Sequence, residues 1–200
     1  MLRYDTSTLI ILPHLDDEFA LFPVLKNFLR TNNSDKIDII YCAERKSSRN
    51  KKLKRRRKDN MKALAIFGIY QSNIIYLNDY FNVEDNYLYK SIKSIYEFLE
   101  NFININSYSQ IITLDFEGGH PDHDCLALIV NKISGKNNIK KFFFPAYNSR
   151  NLFLIPYSVL RPLKKREKDA ERINGGAFCW IGILRLPFIY STEKKAFFFF

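Results

Sequence analysis

Short apolar runs alternate with longer segments of helical spacing along most of this chain. The segments between the runs place apolar residues every three or four positions, as an amphipathic helix does. The predicted strands cover residues 8–12, 37–42, 73–77, 110–114 and 141–144, and the predicted helices cover 19–29, 60–67, 91–103 and 124–133. In this scheme Pro23 lies in the first turn of the first helix and Gly68 ends the second. Five strands separated by helices predict βαβ units, and therefore an α/β fold with a mainly parallel sheet that is covered on both faces.

The length and composition of the chain fit one domain. With 200 residues and 46% hydrophobic content, it can bury one substantial core and is too short for two comfortable ones. We expect a single domain over 1–200, with the motif-bearing part at about 8–148 and a divergent carboxyl-terminal region at 149–200. The sequence has no run of about 18 apolar residues and no leader-like amino terminus. Its three cysteines, Cys42, Cys125 and Cys179, suggest no disulfide framework, so we expect a soluble protein of the cytoplasm.

The formal net charge of +10 comes from one segment. Residues 45–58 hold ten Lys or Arg and no acid, so the rest of the chain carries 21 basic and 21 acidic side chains. This balance argues against binding to a nucleic-acid duplex, although a basic nucleic-acid-binding module built on 45–58 stays an alternative. We expect most of the segment to be a solvated loop, and its charge also suits peripheral contact with an anionic membrane.

Two polar motifs follow strand-like runs. PHLDDE at 13–18 comes directly after the first strand, and EGGHPDHD at 117–124 follows the fourth, so all three histidines lie at the ends of two strands. Because the carboxyl ends of parallel strands meet at one edge of a sheet, we expect these side chains to lie close together. A helix cap would explain the acids of PHLDDE but not its histidine, and a Gly-Pro turn would explain the second motif only if it stood alone.

A divalent ion explains both motifs. Zinc prefers imidazole nitrogen and carboxylate oxygen, and a catalytic site uses three protein ligands with one position left for water. His14, Asp17 and His123 are the predicted ligands. Asp16 adjoins Asp17 and is the predicted general base, since the ion can lower the pKa of its bound water to about 7.

The remaining polar residues of the motifs suit supporting roles. His120 could protonate the leaving group or stabilise the oxyanion, and Asp122 could orient His120 or another histidine. Glu18 is open to two interpretations, because an acid that supports the site and a plain glutamate in a first helical turn look alike in sequence.

The motifs resemble those of the LmbE-like or PIG-L family of metal-dependent de-N-acetylases, whose members carry PHPDDE near the amino terminus and HPDH after a later strand. The resemblance covers about residues 8–128 and includes R-x-x-D-x-x-x-A-x-x-x-F-G-I at 56–69, which is similar to a helix of that family. Leu15 replaces the usual proline and Asp59 the usual glutamate. The resemblance implies a Rossmann-like three-layer sandwich and the release of acetate from N-acetylglucosamine-type units of small molecules or glycolipids.

The resemblance also assigns a role to each matching position. It implies zinc ligation by His14, Asp17 and His123, base catalysis by Asp16, leaving-group assistance by His120, support of that histidine by Asp122, and substrate contact by Arg56. We therefore expect an N-deacetylase with one zinc ion per chain, with ferrous iron as the alternative ion. A metal-dependent phosphoesterase, which would use two ions, is the alternative enzyme. The expected partner is a small-molecule or glycolipid substrate, and homo-oligomerisation stays open.

Overall fold

The computed structural model describes residues 1–44, 50–148, 158–159 and 173. Its main sheet consists of β1 (Thr8–Leu12), β2 (Ile37–Tyr41), β3 (Ile74–Tyr76), β4 (Gln110–Leu114) and β5 (Lys140–Phe144), in the spatial order β3-β2-β1-β4-β5. All neighbouring strands of this sheet pair in parallel. The predicted parallel α/β fold is confirmed, and each strand boundary lies within one residue of its prediction.

Four α-helices accompany the sheet: α1 (Phe22–Arg30), α2 (Asn50–Ala65), α3 (Ile92–Asn106) and α4 (Pro121–Asn137). A 3-10 segment, Asp17–Leu21, leads directly into α1, and Pro23 lies in the first turn of that helix as predicted. Gly68 follows the end of α2 with a φ of +71°, a backbone conformation that glycine adopts without steric cost.

The basic run is helical where it is described. Residues 50–58 form the first part of α2, so the predicted loop is wrong there, and 45–49 lie outside the described residues. Lysine and arginine are good helix formers, but an almost uniformly charged run lacks the apolar period that would have indicated a helix. Arg56 is buried in the protein and Arg57 is half-buried, which removes two cations from any basic binding face. Contact of the remaining lysines with an anionic membrane stays a prediction.

The core lies on both faces of the sheet. All five residues of β1 are buried, and successive side chains of a strand point to opposite faces. Ile10 and Leu12 therefore pack into a cluster with residues of α1 and α2, whereas Leu9 and Ile11 pack with residues of α3 and α4. This arrangement of helix, sheet and helix makes three layers.

The strand order reverses beside β1, which pairs with β2 on one side and with β4 on the other. In open parallel sheets, such a reversal leaves a crevice beyond the carboxyl ends of the two strands. PHLDDE leaves β1 at this edge and EGGHPDHD leaves the adjacent β4, so the topology brings the two motifs together.

A small antiparallel pair, β6 (Tyr147–Asn148) with β7 (Ser158–Val159), follows the main sheet. The rest of 149–200, with its aromatic residues and Cys179, lies outside the described residues, so the divergent carboxyl-terminal region and the single domain over 1–200 stay predictions. Both described cysteines are free and buried. Among the described residues, no helix has the length and apolar character that crossing a bilayer requires.

Candidate active site

Two loops at the carboxyl edge of the sheet bring three histidines together. His14 follows β1, and His120 is the N-cap of α4, with His123 in the first turn of that helix. Their ring centroids lie between 4.9 and 5.6 Å apart. One nitrogen of each ring lies within 4.8 Å of a nitrogen of the other two. His14 and His123 are buried, so His120 is the histidine most open to solvent.

Asp17 lies between two of these histidines. Its Oδ2 is 3.2 Å from His14 Nδ1, and its Oδ1 is 3.4 Å from His123 Nε2. The backbone N–H of His14 also donates to Oδ2 at 2.9 Å, which fixes the carboxylate at the start of the 3-10 segment. The three residues that the sequence predicts as metal ligands are therefore neighbours, with the two histidines on different oxygens of Asp17. Among the described residues, the groups whose donor atoms all lie within 4.8 Å of one another are His14 with His120 and His123, and His14 with Asp85 and Asp122.

Asp122 lies on the opposite side of the His14 ring. Its Oδ2 is 2.9 Å from His14 Nε2, and the carboxylate accepts N–H bonds from Asn86 at 2.7 Å and from Leu88 at 3.0 Å. The family resemblance implied that Asp122 supports His120, but the carboxylate faces His14, the other arrangement that the sequence left open. Because a carboxylate at the second ring nitrogen commonly orients a metal-ligating histidine, this contact suits His14 as a ligand.

His120 is held by the main chain. Its Nδ1 accepts a hydrogen bond from the backbone N–H of Asp122 at 3.2 Å, so a neutral His120 ring carries its proton on Nε2. Burial lowers the pKa of His120, and the charges of His14 and His123 lower it further. The ring therefore presents an N–H donor.

Asp16 adopts an uncommon backbone conformation, with φ 108° and ψ −16°. Its side chain keeps 24% of its exposure, and its Oδ1 is 3.8 Å from Arg56 Nη2. The same Nη2 donates to the carbonyl oxygen of Leu15 at 3.2 Å. Arg56 thus contacts the loop that carries Asp16, and its predicted contact with substrate stays a prediction.

Asp85 joins the site although the sequence analysis did not single it out. Its Oδ1 is 3.3 Å from His14 Nε2, and His14, Asp85 and Asp122 form a second group whose donor atoms lie within 4.8 Å. Asp85 lies in the loop between β3 and α3, next to Asn86 with a φ of 72°. No motif marks it, and the available signal was its place in a polar loop that follows a strand of the same sheet.

The site concentrates negative charge around His14. Burial lowers the pKa of His14, but hydrogen bonds to Asp122 and Asp17 outweigh burial and raise that pKa to about 10. Burial alone would raise the pKa of Asp17, yet His123 and His14 hold it well below its usual range. Burial and the charge of Asp17 raise the pKa of Asp16 well above its usual range, even though its side chain is partly exposed. These carboxylates need positive charge beside them, and a divalent cation supplies it as well as a proton on His14 does.

The donor atoms fit a transition-metal ion. His14 and His123 offer imidazole nitrogen, and Asp17 offers carboxylate oxygen, a mixed set that suits zinc and ferrous iron alike. The second carboxylate at His14, from Asp122, supplies the orienting contact that such sites commonly have. A nitrogen of His120 also lies within reach, so geometry alone allows His120 as a ligand.

A parallel α/β sheet with histidines and aspartates clustered at its carboxyl edge is an arrangement that suits an enzyme with metal-assisted hydrolytic chemistry. The sequence matches the PIG-L family, described as GlcNAc-PI de-N-acetylase, over residues 9–134, and the chain belongs to this family. The match confirms the resemblance drawn from the motifs. It also confirms the predicted enzyme class, an N-deacetylase hydrolase.

Several solved structures share the fold. The N,N'-diacetylchitobiose deacetylase from Pyrococcus horikoshii is 13% identical with a TM-score of 0.62, over 94% of this chain and 71% of that one. The A40926 pseudoaglycone deacetylase Dbv21 is 17% identical with a TM-score of 0.52, over 70% of this chain and 64% of that one. The conserved protein TT1542 from Thermus thermophilus is 15% identical with a TM-score of 0.53, over 74% and 68% of the two chains. No curated protein matches the sequence.

Proposed function

We propose that this chain is a zinc-dependent hydrolase that removes the N-acetyl group from an N-acetylglucosamine-type sugar, carried by a glycolipid or another conjugate. The observation that supports it most is the convergence of His14, Asp17 and His123 beside Asp16, in a chain of the PIG-L family. The family is described by a de-N-acetylase of GlcNAc-PI, and the similar structure from Pyrococcus horikoshii is a deacetylase of N,N'-diacetylchitobiose. Both names describe deacetylation of an amino sugar.

His14, Asp17 and His123 would hold one zinc ion. When bound, the ion supplies Lewis-acid polarisation of a carbonyl oxygen and acidifies water near neutral pH. Asp122 fixes the orientation of His14 through its contact with Nε2. Because the Asp122 amide engages Nδ1 of His120, we assign His120 to catalysis rather than to metal binding.

The remaining residues move one proton and stabilise one charge. Asp16 takes a proton from the attacking water as the water oxygen bonds to the amide carbon. His120 donates a hydrogen bond from its Nε2–H to the carbonyl oxygen as that oxygen becomes negative. When the C–N bond breaks, Asp16 returns the proton to the nitrogen, which leaves acetate and a free amine. Arg56, adjacent to Asp16, contacts the bound sugar.

The test is acetate release from N,N'-diacetylchitobiose and from GlcNAc-PI, measured with zinc-loaded protein, with chelated protein and with chelated protein to which zinc is restored. We expect release that chelation abolishes and zinc restores. Asp16→Asn, which keeps the shape of the side chain, should bind zinc normally and lose activity by a factor of about 100 or more. Full activity of the chelated protein or of zinc-loaded Asp16→Asn would refute the mechanism.

Phosphate-ester hydrolysis is a second candidate, because His14, Asp85 and Asp122 form an additional donor group beside the first. A phosphoesterase of this kind would use two ions about 3.5 to 4 Å apart. Hydrolysis of a phosphomonoester, without acetate release from any acetylated sugar, would favour it. We prefer deacetylation for two reasons. His14 belongs both to the Asp85 group and to the predicted zinc site, so the two groups are not independent. The chain also belongs to a de-N-acetylase family.

A further inference from the structure

The peptide group between Leu15 and Asp16 is held from both sides. The Leu15 carbonyl accepts a hydrogen bond from Arg56 Nη2 at 3.2 Å, and the Asp16 N–H donates to Glu18 Oε2 at 3.1 Å. Asp16 has a φ of 108°, which L residues other than asparagine and aspartate rarely adopt. A peptide plane in such a conformation persists only where its surroundings fix it. Here a guanidinium and a carboxyl side chain do so, one at each end of the same peptide.

Glu18 is itself held by neutral donors. It is fully buried, and it accepts hydrogen bonds from the Tyr41 hydroxyl to Oε2 at 3.0 Å and from Asn60 Nδ2 to Oε1 at 3.0 Å. Oε2 also accepts the hydrogen bond from the Asp16 N–H, so hydrogen-bond donors approach both oxygens of the Glu18 side chain. A glutamate satisfies them, whereas the amide of a glutamine would place an NH₂ group against a donor.

A further set of contacts holds these donors in turn. Asn60 Nδ2 lies 2.6 Å from the Tyr41 hydroxyl, and the Tyr76 hydroxyl donates to Asn60 Oδ1 at 3.1 Å. The rings of Tyr41 and Tyr76 stack with centroids 5.7 Å apart. Asn60 lies four residues after Arg56, on the same side of α2. One helix therefore fixes both ends of the peptide, directly through Arg56 and through Glu18 by way of Asn60.

We propose that Glu18, supported by Tyr41, Asn60 and Tyr76, is a positioning residue that fixes the Leu15–Asp16 peptide and so directs the Asp16 carboxylate at the metal centre. The inference rests on the proposed function, in which Asp16 is the base. None of the four residues needs to touch substrate. A network that served stability alone would affect unfolding without changing the Asp16 amide or the turnover number.

Hydrogen exchange of the Asp16 amide in the full chain tests the positioning without any need for turnover. We expect the amide to exchange about tenfold faster in Glu18→Gln and in Tyr41→Phe, because each removes one hydrogen bond of ordinary strength from the chain of contacts. Tyr108→Phe is the matched control, since it removes a tyrosine hydroxyl that bonds the Asp38 carboxylate at 2.6 Å, at the opposite edge of the sheet. Exchange in Glu18→Gln no faster than in Tyr108→Phe would overturn the proposal.

Steady-state kinetics on N,N'-diacetylchitobiose tests the consequence for the base. Zinc-loaded Glu18→Gln and Tyr41→Phe should lose kcat by about tenfold or more, with KM and zinc content unchanged. Tyr76→Phe, one contact further away, should show a smaller loss. Tyr108→Phe should keep kcat although it lowers thermal stability. The proposal is overturned if kcat survives in Glu18→Gln, or if its loss only follows a loss of zinc.

The two sets of measurements separate this inference from the proposed function. If wild-type protein releases no acetate from any acetylated sugar, the proposed function fails, and the exchange rates still decide whether Glu18 holds the Asp16 peptide. If the wild type is active and the exchange of Asp16 does not change in Glu18→Gln, the positioning role fails while the deacetylase stands.

Discussion

His120 and His123 lie three residues apart at the start of α4, yet they contact different groups. His123 Nε2 faces Asp17, whereas His120 Nδ1 accepts a hydrogen bond from the backbone N–H of Asp122. His123→Gln should therefore abolish stoichiometric zinc binding. His120→Gln should keep one zinc ion per chain and lose kcat by a factor of about 100 to 1,000, the usual effect of removing one oxyanion donor. Metal analysis of the two dialysed variants, together with an acetate-release assay, checks both expectations. Loss of zinc from His120→Gln would show that His120 is a metal ligand.

In the proposed zinc site, Asp122 affects the metal through its contact with His14. Asp122→Asn keeps the shape of the side chain but removes the charge next to His14 Nε2. Because the Asn86 and Leu88 N–H groups bond different oxygens of Asp122, the asparagine oxygen serves only one of them. Zinc affinity should fall about 10 to 100-fold, as measured by competition with a chelator of known affinity. Asp124→Asn is the control, because the Asp124 carboxylate accepts the Glu117 and Gly118 amides and has no described contact with His14. Equal affinity in the two variants would contradict the role of Asp122.

At the scale of elements, some charged side chains of α2 make contacts within the protein and others are exposed to solvent. Arg57 bonds the buried carboxylate of Glu44 through two nitrogens, contacts Asp79 at 2.8 Å, and lies 4.2 Å above the Tyr76 ring. Arg57→Ala should lower the free energy of unfolding by about 2 kcal/mol, less than for a fully buried pair because Arg57 keeps 22% of its exposure. The exposed Lys58→Ala on the same helix should change it by at most about 0.5 kcal/mol. Urea unfolding measures both, and equal effects would show that the Arg57 contacts contribute nothing.

The strands could be predicted from the sequence because a strand that is buried on both faces of a sheet consists of a short run of apolar residues. β1 and β4 are buried throughout, and their predicted bounds agree with the structure. The first part of α2 could not be predicted in this way, since its helical state depends on the propensity of lysine and arginine and on contacts made by Arg56 and Arg57. Tertiary contacts of charged side chains leave no periodic signal.

In the site, too, some residues could be predicted from the sequence and others could not. PHLDDE and EGGHPDHD identified the histidines and acids, because each motif stands directly after a strand and the strands share an edge. Asp85, Tyr41 and Asn60 have no such local mark, since their place at or near the site comes from contacts between elements that are distant in sequence. The orientation of Asp122 toward His14 likewise depends on the loop between β3 and α3, which the sequence did not place.

On the scale of the whole molecule, the site and the core are separate. The apolar clusters lie on the two faces of the sheet, while the histidines and acids lie beyond the carboxyl ends of β1 and β4. Three loops meet there, after β1, after β3 and after β4. The fold can therefore form without an ion, while a bound ion would connect groups that belong to different βαβ units.

Metal removal should accordingly stop catalysis without unfolding the chain. The chelated protein should keep its helical circular dichroism and unfold cooperatively, because the core clusters contain none of the predicted ligands. Its melting temperature should be lower, since a ligand that binds only the folded state at about 1,000 times its Kd stabilises it by about 4 kcal/mol. Titration of zinc into the chelated protein should restore both the melting temperature and acetate release at one ion per chain. A second equivalent that is needed for activity would instead mean that Asp85 and Asp122 complete a two-ion centre around His14, and the phosphoesterase would become the better description of the site.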